Sequence, residues 1–66
     1  MILERYRTKD EALQRARKLS HDRPDLWIYV IRSARGLEAE TQGEWCVTDD
    51  GMVRAWEELV FTFEGD

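Results

Sequence analysis

The chain has 66 residues, a net charge of −4, one cysteine and 11% aromatic residues. That length holds one domain at most, and the ring content excludes a disordered acidic tail. A lone cysteine excludes an intrachain disulfide, no His/Cys cluster offers a zinc site, and no apolar run approaches the ~18 residues of a membrane span.

No apolar core of a signal peptide is present, so the expected location is cytoplasmic, with Met1-Ile2-Leu3 a native start rather than a tag. Ile2 to Arg7 alternate imperfectly and read as a short first strand whose charges suit a sheet edge. Thr8-Lys9-Asp10-Glu11 then matches the S/T-x-x-E capping box. Acids at Asp10 and Glu11, bases at Arg15, Arg17 and Lys18, and a narrow apolar stripe of Ala12, Leu13, Ala16 and Leu19 predict a helix from Lys9 to about His21.

Pro24 stops helical continuation, because the residue before a proline avoids the α region. Leu26-Trp27-Ile28-Tyr29-Val30-Ile31 follows, six apolar or aromatic residues rich in β-branched side chains, and predicts the central strand. Side chains alternate along a strand, so Leu26, Ile28 and Val30 share one face while Trp27, Tyr29 and Ile31 share the other. The small aliphatic stripe of the helix matches the first of these faces.

Arg35 to Gly43 shows no period and reads as a flexible acidic hairpin connection. Glu44 to Thr48 predicts a third strand, with Trp45 and Val47 opposite Cys46 and Thr48, and Asp50-Gly51 is a hairpin signal. The next stretch is ambiguous: Met52, Val53, Trp56, Leu59 and Val60 fall at helical spacing, whereas Leu59, Phe61 and Phe63 alternate. The reading adopted is a short irregular or helical turn over Val53–Glu57 and a last strand over Leu59–Glu64.

Together these elements predict a single α+β domain over residues 1–66. The order is β-α-β-β-(short turn or helix)-β, with a mainly antiparallel sheet and one helix on one face. A lone helix leaves the other face bare. Trp27, Tyr29 and Ile31, with a ring from Trp45 or from Phe61 and Phe63, are then expected to form an exposed patch larger than monomers tolerate. A chain this short also has a small core and gains from a partner subunit.

Charge is unevenly shared. Residues 1–35 carry nine Lys/Arg against five Asp/Glu, and residues 36–66 carry one Arg against nine Asp/Glu. Glu38, Glu40, Glu44, Asp49, Asp50, Glu57 and Glu58 could compose an acidic surface for a basic partner.

Candidates for chemistry are weak. His21 with Cys46 is the sole thiol–base pair available, but a histidine at a helix end and a cysteine mid-strand are ordinary structural residues. Asp49, Asp50, Glu57 and Glu58 supply oxygens for a hard cation at a spacing that fits no calcium loop. The basic helix and the strand aromatics resemble a sheet that stacks RNA bases, yet the bases lie on the helix side and the chain is acidic overall.

The functional expectation is a non-enzymatic, cofactor-free interaction module with no small-molecule substrate or metal inferred. It would form a homodimer or dock another protein through Trp27, Tyr29, Ile31 and Trp45. The alternative is an acidic inhibitor of bacterial or phage type, its negative half occupying the basic cleft of a nucleic-acid-handling protein. Direct nucleic-acid binding is the third reading.

Overall fold

A computed structural model describes residues 2–66; Met1, and with it the native-start reading, lies outside the described residues. The elements in chain order are β1 (Leu3–Tyr6), α1 (Lys9–Asp22), β2 (Ile28–Ser33), α2 (Leu37–Gln42), β3 (Trp45–Thr48) and β4 (Glu57–Phe63). The domain is α+β with an antiparallel four-stranded sheet in the order β1-β3-β2-β4. No helix among the described residues is long and apolar enough to cross a membrane.

Helix α1 forms where its capping box predicts. Thr8 Oγ1 accepts the Glu11 N–H at 3.2 Å and donates to the Glu11 carboxylate at 2.9 Å, while Arg23 N–H closes the other end on Leu19 O at 2.8 Å. Ala12 and Ala16 lose all their exposed surface and bring the helix close to the sheet. There they meet Ile28, Val30 and Val47, and Leu19 completes this core. Burial of these groups, at about 25 cal/mol per Å² of apolar surface, is the main stabilising term of the helix face.

The sheet contains two crossovers. Strands β1 and β2 run parallel with β3 between them, and β3 and β4 run parallel with β2 between them. Helix α1 makes the first connection over one face. Residues 49–56, an irregular strap, make the second over the other face, where Gly51 lies against the Tyr29 ring. Both connections move laterally in the same sense from strands of opposite direction and over opposite faces, so they share one hand.

Two details differ from expectation. The irregular turn expected over Val53–Glu57 is present, closed by the Glu57 N–H on Arg54 O at 2.9 Å, but the flexible hairpin connection expected over Arg35–Gly43 is instead the helix α2. Gly36 (φ +100°) and Gly43 (φ +117°) bracket it, Thr41 Oγ1 bonds back to Leu37 O, and six residues are too few to print a helical period. In turn, Asp50-Gly51 opens the strap and not a hairpin. Thr48 Oγ1 accepts the Asp50 N–H and Asp50 Oδ1 the Met52 N–H, a local side-chain turn that needs no β3–β4 pairing.

Candidate interaction surface

The strap decides which side chains remain available on the sheet face opposite α1. It is held by side chains along its length. Asp49 Oδ1 accepts the Ile2 N–H at 3.0 Å at its start, and Glu57 Oε1 accepts the Arg54 N–H at 2.9 Å at its end. That bond, helped by the Ser33 hydroxyl, holds the Glu57 carboxyl below its ordinary pKa. The Arg35 and Arg54 guanidiniums lie 4.9 and 5.7 Å from the Trp56 ring centre, a cation–π arrangement. Between strap and β1 runs a 220 Å³ cleft lined by Leu3, Arg5, Met52 and Arg54 over a floor of Ile31 and Cys46.

The expected aromatic patch is therefore not assembled. Ile31 is 4% exposed beneath the strap, and Tyr29 is half-buried against Gly51. Trp45 projects to the α1 side, where it packs on the core and carries Arg32 at 5.4 Å from its ring centre. Trp27 keeps 45% exposure but abuts Gly65 of the tail, whose Asp66 N–H donates to Pro24 O. The physical reason is that parallel strands flanking a third need a crossover. That crossover supplies a second cover which a count of helices misses.

The other candidates also separate. His21 is on α1, and Cys46 faces the strap side of the sheet, so the sheet stands between imidazole and thiol. Burial pushes the Cys46 thiol pKa up, which disfavours thiolate. Of the acidic set, Glu44, Glu57 and Glu58 lie at the end of the sheet near α2, which carries Glu38 and Glu40. Asp49 and Asp50 lie beyond the far end of β3, about 15 Å away at the rise of a strand. Glu44 pairs with Arg32 at 3.0 Å, and Asp49, Asp50 and Glu57 are occupied by backbone N–H groups. The four carboxylates considered for a cation likewise fall at opposite ends of the strap.

Single apolar side chains stay exposed on β1 (Leu3), α2 (Leu37) and the strap (Met52, Val53 and Trp56), but the margin formed by β4 joins such side chains to a long open backbone edge. It is the terminal strand of the sheet, so its outer backbone edge is unpaired, and it runs for seven residues, Glu-Glu-Leu-Val-Phe-Thr-Phe. Neither lysine nor proline interrupts it; its one irregularity is a bulge opposite Val30 and Ile31 that leaves Val60 without a partner on β2. Leu59, on the strap side, is 46% exposed, and Phe61, on the helix side, is 49% exposed. The Phe61 and Phe63 rings touch at 4.7 Å between centres. The other edge, β1, has four residues with Glu4 and Arg5 in the middle, and α2 packs beside it. The sequence named both phenylalanines only as possible neighbours of Trp27, because a strand's place at an edge is set by topology.

Comparison with protein-family models, curated proteins and solved structures returned no match. The surface has to be read from its own chemistry.

Proposed function

We propose that this chain is a non-enzymatic protein-interaction module that docks a protein strand along β4. The observation that carries the reading is the seven-residue outer edge with a half-exposed apolar side chain on each face. Main-chain donors and acceptors of such an edge supply affinity, and alternate side chains above and below supply selectivity. Leu59 and Phe61 take the role that the sequence assigned to Trp27 and Tyr29.

Site-directed photocrosslinking tests this. A photoreactive residue at position 61, and separately at 59, should give a protein adduct of defined mass in cells producing the chain. The same residue at position 9, on the exposed start of α1, should give none. Absence of adducts at 59 and 61, or equal labelling at all three positions, would overturn the proposal.

A further inference from the structure

Resting on that reading, we infer that the occupant of the β4 edge is a second copy of this chain, its own β4 added antiparallel about a two-fold axis near Val60 and Phe61. The observation behind it is a match of charge across the margin that antiparallel pairing alone produces.

Strand β4 runs opposite to β2, so its Phe63 end lies beside the last turns of α1. There Arg17, Lys18 and His21 rim a 720 Å³ groove floored by Phe63. None of these three basic groups has an ion-pair partner among the described residues. At the other end of the strand stands Glu58. It is opposite Arg32 in the register, hence on the α1 side, and is exposed without a hydrogen bond or ion pair among the described residues. A two-fold axis normal to the sheet keeps both α1 helices on one face and reverses the added strand. The Glu58 end of one copy then reaches the Arg17, Lys18 and His21 end of the other, twice by symmetry.

The same operation brings the Phe61 rings of both copies together beside the axis, each in contact with its own Phe63, between the two helices. Phe61, which one helix leaves half-exposed on four strands, would thus be covered in a shared aromatic cluster. Aromatic anchors inside a charged rim are the usual composition of such contacts. Parallel addition would place Glu58 beside Glu58 and leave the basic groove unanswered.

Sedimentation equilibrium of the pure chain and its variants tests the inference. The chain should dimerise reversibly, and Phe61→Asp should leave a monomer with unchanged circular dichroism. Glu58→Lys or Lys18→Glu should each weaken the dimer about tenfold, the size expected for two exposed ion pairs. The double variant should recover most of that loss, because the swap restores the pair. A wild-type chain that stays monomeric at several hundred micromolar would overturn the inference, as would single variants that do not weaken the dimer or a double variant showing no recovery. The crosslink at position 61 separates the two levels: an adduct of doubled mass supports both, an adduct of other mass alone sinks the second copy, and no adduct sinks both.

Discussion

At the scale of single residues, two glycines hold the strap and α2 in place for different reasons. Gly43 has φ +117°, and a Cβ there would fall on the Tyr6 carbonyl carbon and oxygen, which are backbone and cannot yield. Gly43→Ala should therefore cost about 3 kcal/mol or more in urea unfolding, since left-handed strain and a backbone clash add. Gly51 differs. Its Cβ would come within 2.7 Å of Tyr29 Cζ, the far end of a side chain that can tilt. Gly51→Ala should cost about 1 kcal/mol, and the cost should vanish in a Tyr29→Ala background. A double-mutant cycle with no coupling would mean that the strap does not rest on Tyr29.

At the scale of elements, α1 is joined to β1 by an ion pair that also gathers a phenol. Arg15 Nε is 2.9 Å from Glu4 Oε1, and Tyr6 Oη donates to the same oxygen at 2.5 Å. The Arg15 guanidinium first, and the Tyr6 hydroxyl next, hold the Glu4 carboxyl below its ordinary value. A carboxyl depressed on folding contributes stability above its unfolded pKa and loses it as pH falls through the folded one. The stability gap between wild type and Glu4→Gln should thus be full at neutral pH and close below the usual carboxylate range. A gap that persists in acid would assign the loss to packing. Helix α1, with its cap, stripe and dipole charges, was legible because fourteen residues repeat a period four times. Strand β2 was legible to within two residues from its unbroken apolar and β-branched run, and β1 and β3 from short stretches ended by the Thr8 cap and by turn residues. Helix α2 was not, as one and a half turns leave no pattern, and Glu38-Ala39-Glu40 in a loop looks like solvent-facing filler. Asp50-Gly51 misled in the opposite way: the dipeptide is good turn chemistry, but pairing partners are set by the whole sheet and not by the turn.

At the scale of the whole molecule, the sheet is a shared wall with α1 on one side and the strap on the other. Central strand β2 is apolar on both faces because both are covered, which the sequence could state as a demand but not resolve. The strap's own apolar residues give no hint of this, because Met52, Val53 and Trp56 all stay exposed and the close approach to the sheet is made at Gly51, against the Tyr29 ring. Strap closure has a reporter in Cys46, 4% exposed on the floor of the cleft. Burial holds its thiol above its ordinary pKa, so labelling by a disulfide reagent should be slow at neutral pH and still rising beyond the usual thiol range. Asp49→Ala frees the Ile2 N–H and Glu57→Gln weakens the hold on Arg54, each loosening one end of the strap while leaving the α1 core intact. A net hydrogen bond of about 1 kcal/mol corresponds to a several-fold change in the open population. Each variant should then label several times faster than wild type, with far-ultraviolet circular dichroism unaltered. Val47→Ala, which hollows the α1 core, should instead lower the urea midpoint by far more than either strap variant. If the labelling rates of all three simply tracked their unfolding free energies, Cys46 would be exposed only by global unfolding. The strap would then be part of one cooperative core and not a second cover able to lift by itself.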